Sequence, residues 1–364
     1  MASATLFDPL LHAVLISALV VTALTFTLLI VIVLLRFLFI RRERRLRRIL
    51  DRWRPLLARA AAGEVVDAPQ LDAMEGELLL PLWNRLRESI RGESEASLDA
   101  FAHRIGLDGI ARSLLASGNT RSRLLAINTL GHIGVAGTFD EDKGTERTLR
   151  DAVMLERLCV DNSTIVSLAA ARALLRLDST WALPRLVPQM VQREDWSMVR
   201  LLPMLRVADT ARLELVLADI LPRVEGSALE RLLLIAAILP QNRTAHWARM
   251  ALEKSADVAI ITAALRLVGD PRDAPIVRRY LQHPSWQVRV RAVTALARVA
   301  DTEDLPRLIT ALSDPEWWVR LRAARALTQL PFIDREYLAR LCETVSDRFA
   351  RDALLQVIAE ARTA

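Results

Sequence analysis

The stretch that decides the fold lies near the C-terminus. LQHPSWQVRVRAVTALARV at residues 281–299 is followed by LSDPEWWVRLRAARALTQL at residues 312–330. Equivalent residues keep one spacing, since Pro284 and Pro315 are 31 positions apart (315 − 284 = 31). A fixed spacing held over so many positions indicates an internal structural repeat.

Each copy predicts two helices joined by a turn. In the second copy the first helix should end near Leu312, Pro315 should lie in the turn, and the second helix should run to Leu330. Proline disfavours the helical conformation of the preceding residue and suits the start of the next helix. Because a single hairpin cannot bury both its faces, neighbouring hairpins should stack, with Leu296 and Leu327 in the core between them.

These segments resemble HEAT repeats, whose second helix reads V-R-x-x-A-x-x-A-L. Looser copies lie at residues 123–134, 162–178 and 256–270. The resemblance implies an all-α protein in which residues 98–364 form an α-solenoid of about eight hairpins, capped by a helical region at 55–97. It also implies a hydrogen bond between repeats from a helix arginine to the turn aspartate. Here that would join Asp314 to Arg320 or Arg322.

A second feature is apolar. From Leu10 to Leu35 no side chain is formally charged, and about 26 residues of helix span ~39 Å, more than the ~30 Å hydrocarbon core of a bilayer. Arginines follow this stretch and do not precede it, which is the wrong order for a cleaved signal peptide. We therefore expect a single transmembrane helix within residues 1–40 of a bacterial inner-membrane protein, with the N-terminus outside and the C-terminal domain cytoplasmic.

Residues 41–54 predict a basic amphipathic helix along the membrane surface. Leu46, Ile49, Leu50 and Trp53 form an apolar stripe that should end at Pro55. The residues expected at the membrane interface are Arg41, Arg42, Arg44, Arg45, Arg47, Arg48 and Trp53.

The net charge is concentrated in this segment. Nine arginines between Arg36 and Arg54 against Glu43 and Asp51 give +7, and with Asp8 this leaves zero for the rest of a chain whose total is +6. A repeat region without a net basic field argues against nucleic-acid binding.

No catalytic, cofactor or metal-binding pattern is evident, so we predict a protein that is not an enzyme and has no cofactor. The five histidines are scattered, and His132 is interpreted as a packing residue. Cys159 and Cys342 are expected to be buried thiols. The acidic stretch 134–146 is expected to be a non-helical, solvated connection, because it lacks the ligand spacing of a calcium loop.

Tryptophans suggest a partner site. Trp286 and Trp317 are equivalent and are expected to pack in the repeats, whereas the counterpart of Trp318 is Gln287. We therefore predict that Trp318, with Arg322 and Arg325, anchors a protein partner.

The sequence as a whole favours a membrane-tethered scaffold or adaptor. Arginine supplies nearly all the positive charge, with lysine only at Lys143 and Lys254, which suggests a GC-rich bacterial source. A membrane-anchored bacterial adaptor without a catalytic site of its own suggests a role beside an envelope or exopolysaccharide-synthesis complex. The alternatives are a nucleic-acid-binding HEAT-like protein and a HEAT-type lyase or chaperone for a prosthetic group. The partner's identity, the oligomeric state and the binding face stay open.

Overall fold

The computed structural model describes residues 7–117, 119–133, 141–206 and 208–363. Across these residues the regular secondary structure is helical. The α-helices, in chain order, are α1 (Phe7–Ala61), α2 (Ala73–Ser89), α3 (Glu93–Arg104), α4 (Leu107–Ser117), α5 (Thr120–Ile133), α6 (Glu141–Cys159), α7 (Thr164–Leu177), α8 (Ser179–Gln192), α9 (Met198–Leu205), α10 (Thr210–Ile220), α11 (Gly226–Ala236), α12 (Gln241–Lys254), α13 (Val258–Leu267), α14 (Ala274–Arg279), α15 (Trp286–Val299), α16 (Leu305–Ala311), α17 (Trp317–Gln329), α18 (Arg335–Thr344) and α19 (Arg348–Thr363). The chain divides into two compact units, Met1–Ala173 and Leu174–Ala364.

In the first unit, α1 combines two different surfaces. The large apolar side chains from Val14 to Ile40 are exposed, and this is the one helix in the described residues that is long and apolar enough to cross a membrane. Further along, Ile49, Trp53 and Leu57 are buried, where α1 packs on α2 and α3. Their spacing of four places them on one face of the helix.

α1 does not end at Pro55 as the sequence predicted, but continues to Ala61. A proline inside a helix leaves the carbonyl four residues earlier without its amide donor. Here that carbonyl belongs to Asp51, and both Asp51 and Pro55 are exposed, so water can satisfy the group.

The region that follows α1 is helical, with Trp83 buried on the apolar side of α2. α2 runs through Pro81, and the chain breaks at Gly92, whose φ is 82°. A buried ion pair, Arg87 with Asp99 at 2.8 Å, links α2 to α3. Burial raises the pKa of the Asp99 carboxyl to about 6, although Arg87 acts in the opposite direction.

The prediction that the stretch 134–146 is non-helical is wrong in part. Residues 141–146 belong to α6, and residues 134–140 lie outside the described residues. The acidic residues at 140–142 led to the prediction of a loop, and the amphipathic periodicity of the helix that begins at Glu141 was overlooked.

In the second unit, the second helices of successive hairpins stack in chain order: α11 packs on α13, α13 on α15, α15 on α17, and α17 on α19. Each of α12, α14, α16 and α18 packs against the second helix that follows it. Leu296 and Leu327 are completely buried in this stack, which confirms their predicted place in the core.

Arginines close the turns of the last three hairpins. Arg289, Arg320 and Arg351 each donate to the backbone carbonyl six residues earlier, at distances of 2.8–2.9 Å. These arginines are 31 residues apart, so the repeat extends into α19.

The bond between repeats exists, but its arginine differs from the prediction. The Asp314 carboxylate accepts two hydrogen bonds from Arg289 of the preceding repeat, at 2.7 and 2.8 Å. Arg320 instead donates to the Asp314 backbone carbonyl. The helix arginine reaches forward to the next turn, a direction that sequence spacing does not reveal. At the earlier turn, His283 Nδ1 accepts from the Ser285 amide as Asp314 does from Glu316.

Candidate functional site

The predicted partner residues lie on one face of α17. Trp318, Arg322 and Arg325 are four and three residues apart, the spacing of neighbours along a helix surface. The opposite face, with Val319, Ala323, Ala326 and Leu327, is buried in the repeat stack. The Trp318 side chain is 48% exposed, so its indole is available to a partner.

The structure corrects the roles of the two equivalent tryptophans, Trp286 and Trp317. Both were expected to pack in the repeats, yet Trp286 is 37% and Trp317 is 42% exposed. Both are the first residue of their helices, α15 and α17. The Trp317 and Trp318 rings contact each other edge to face, with centroids 4.5 Å apart.

Phe349 extends this exposed aromatic surface onto α19. It lies 31 residues after Trp318 and is 64% exposed, while the Arg320 guanidinium carbon lies 5.3 Å from the centre of its ring. We call Trp317, Trp318 and Phe349 the aromatic patch. Sequence reasoning missed Phe349, although the same spacing that relates Gln287 to Trp318 would have located it.

The two predicted arginines differ in their surroundings. Arg325 pairs with Glu360 of α19 at 3.0 Å, so its charge is already partnered within the chain. Arg322 is half-buried, and no described carboxylate forms an ion pair with it. The guanidinium of Arg322 is therefore available to form an ion pair with a binding partner, whereas that of Arg325 is already paired with Glu360.

The residues predicted at the membrane interface also separate into two groups. Arg41, Arg44, Arg47 and Arg48 are exposed on α1, whereas the side chains of Arg42 and Arg45 lie outside those that the structure describes. Trp53 is 0% exposed and packs edge to face on Phe101 at 6.5 Å. The stripe that contains Trp53 binds α2 and α3, so Trp53 is a core residue and cannot contact lipid headgroups.

Among the described residues no group of three or more His, Cys, Asp and Glu side chains could hold a metal ion. The side chains of Cys159 and Cys342 are buried, and the His132 ring contacts Trp83 edge to face at 6.3 Å. These contacts place His132 in the packing of α2 against α5.

The C-terminal hairpins contain both the repeated turns and the arginine hydrogen bonds that close them. Residues 274–359 of these hairpins match the family model described as HEAT repeats. The C-terminal hairpins are therefore similar to HEAT repeats. The match covers the hairpins that carry the aromatic patch, so the candidate site lies on HEAT-repeat helices. Among solved structures, the chain is similar to an engineered protein studied by a structural genomics consortium, at 15% identity, over 80% of this chain and 85% of that one, with a TM-score of 0.36. No curated protein matches the sequence.

Proposed function

We propose that this protein is a non-catalytic, membrane-tethered scaffold that docks a protein partner on its HEAT-repeat surface. The observation that carries the proposal is the aromatic patch, three large apolar side chains exposed together at the starts of α17 and α19. Large aromatic side chains next to arginine are typical anchors of protein interfaces. Stacked hairpins provide the extended surface on which such an anchor acts.

The properties of α1 support the proposed tether. Within the described residues, no other helix covers the apolar half of α1. Exposure of so much apolar surface to water is unfavourable. A bilayer would remove this surface from water, and the exposed arginines that follow it would remain on the cytoplasmic side. A role beside a bacterial envelope or exopolysaccharide-synthesis complex stays a prediction about the partner's identity.

The experiment compares the full chain with Trp318→Ala and a matched control, Trp181→Ala. Trp181 is a partly exposed tryptophan that stacks on Arg185 at 3.9 Å, away from the aromatic patch. Each protein is solubilised from native membranes, and the co-purifying membrane proteins are quantified by mass spectrometry. Thermal unfolding of each variant is measured in parallel.

We expect Trp318→Ala to reduce the recovery of a specific membrane protein by about thirtyfold, equivalent to ~2 kcal/mol for a central anchor. Its melting temperature should stay close to that of the wild type, because the side chain is half exposed. Trp181→Ala should leave recovery unchanged. Equal recovery with both variants would show that the aromatic patch is not the docking site.

A further inference from the structure

The second helices of the HEAT region segregate charge. α13, α15 and α17 contain seven arginines, one, three and three respectively, and no aspartate or glutamate. The acidic residues of these hairpins lie in the turns and first helices, where Asp304 and Asp314 pair with arginines. The near-zero net charge of the repeat region therefore conceals a cationic face.

Most of the arginines on these helices already have partners. Arg289 binds Asp314 and Arg325 binds Glu360. Arg320 donates to the backbone carbonyls of Asp314 and Pro315. Arg298 donates to the carbonyls of Leu265 and Val268 at 2.8 and 3.0 Å, which closes the end of α13. These arginines are committed to the fold.

Three arginines are left, one on each helix: Arg266, Arg291 and Arg322. Within the residues that the structure describes, none of them forms an ion pair or donates a hydrogen bond. We call these three residues the arginine cluster. Burial lowers the pKa of the Arg291 guanidinium, and the charges of Arg266, Arg322 and Arg298 lower it further.

A half-buried cation facing like charges is unfavourable unless an anion compensates it. Acidic residues reappear on the two flanking helices, Glu230 on α11 and Asp352 and Glu360 on α19. Neighbouring helix axes lie about 8–10 Å apart, so three helices present a face about 20 Å wide. An extended peptide covers that distance in about six residues.

We propose that the arginine cluster binds a short acidic segment of the protein partner. Arginine forms bidentate hydrogen bonds with carboxylates, and three guanidinium groups match a run of aspartate and glutamate of that length. A nucleic acid fits less well, because tight binding to its backbone neutralises about six to ten phosphates, and carboxylates lie on both flanking helices. The inference rests on the proposed scaffold function and specifies the chemistry of its partner.

The test measures binding of a fluorescein-labelled Asp/Glu-rich peptide to the full chain in detergent micelles, by fluorescence anisotropy. Arg266→Gln/Arg291→Gln/Arg322→Gln is compared with Arg223→Gln/Arg272→Gln/Arg340→Gln, a control that removes the same charge from exposed arginines elsewhere. A single-stranded oligonucleotide of similar charge is titrated in parallel.

We expect the cluster variant to bind the peptide at least tenfold more weakly than the wild type, and the control to bind within twofold. The cluster variant should unfold at the same or a higher temperature, because like-charge repulsion is removed. Equal loss in both variants, no peptide binding by the wild type, or cluster-dependent binding of the oligonucleotide alone would overturn the inference. If Trp318→Ala loses the partner but the wild type does not bind the peptide, the scaffold function would still be supported. The proposal that the partner contributes an acidic segment would then be wrong.

Discussion

Arg289 and Asp314 show how single residues connect successive hairpins. Their side chains are 14% and 10% exposed, and two hydrogen bonds join them. The interaction with Asp314 raises the pKa of the Arg289 guanidinium. Because removing one member leaves the other charge desolvated without its partner, this pair contributes more than a surface ion pair would.

We predict that Arg289→Ala lowers the free energy of unfolding by about 3 kcal/mol. Arg340→Ala is the control, since Arg340 and Glu336 are both exposed one turn apart on α18, and such pairs contribute less than about 0.5 kcal/mol. Chemical denaturation of the full chain in detergent would measure both. Similar destabilisation by the two substitutions would contradict the role of the Arg289–Asp314 pair.

At the scale of helices, close approach depends on a single glycine. α5 meets α7 where Gly131 faces Ala173, and a Cβ atom on Gly131 would lie 2.6 Å from the Ala173 Cβ and 2.8 Å from its Cα. The contact therefore involves backbone, which cannot rotate away as a long side chain could. Any larger residue must separate the two helices.

Gly131→Ala should accordingly destabilise the protein by about 1–3 kcal/mol through overpacking. Gly109→Ala provides the opposite case, because Gly109 lies in α4 with open space around the added Cβ, and alanine in a helix is favoured over glycine by about 0.5–1 kcal/mol. Thermal unfolding should shift down for the first variant and up for the second. Shifts of the same sign would show that the packing of α5 on α7 is looser than described.

Across the whole chain, α1 joins the exposed apolar stretch to the first folded unit without a break. Its apolar half ends near Ile40, and the face that packs on α2 and α3 begins at Ile49. One helix therefore contains both the apolar stretch and the packed face. In the proposed membrane-tethered arrangement, the arginines between them would lie near the membrane surface.

This arrangement predicts the orientation of the chain. A reporter that is active only in the cytoplasm should be active when fused after Ala364, and a periplasm-specific reporter fused there should be silent. Changing the six arginines at positions 41, 42, 44, 45, 47 and 48 to glutamine should weaken this preference. Periplasmic activity of the wild-type fusion would reverse the proposed orientation.

The sequence alone determined what depends on spacing along the chain. The 31-residue period, the turn prolines and the buried Leu296 and Leu327 follow from helical periodicity and turn chemistry, which are local properties. The apolar stretch before the arginines was equally evident. Counting charges along the sequence also located the excess positive charge beside the apolar stretch. The net charge of the repeat region could not show how its positive and negative residues are distributed over the surface.

Only the tertiary structure decided which residues face one another. Trp53 lies on an amphipathic helix and is a residue type common at membrane surfaces, yet here it is buried where α1 packs on α2 and α3. Trp317 repeats like a core residue, yet it is the first residue of α17 and is exposed. The arginine cluster comes from α13, α15 and α17, each without a carboxylate of its own. Burial and electrostatic pairing depend on distances between segments far apart in sequence, and a linear pattern of residue types does not contain those distances.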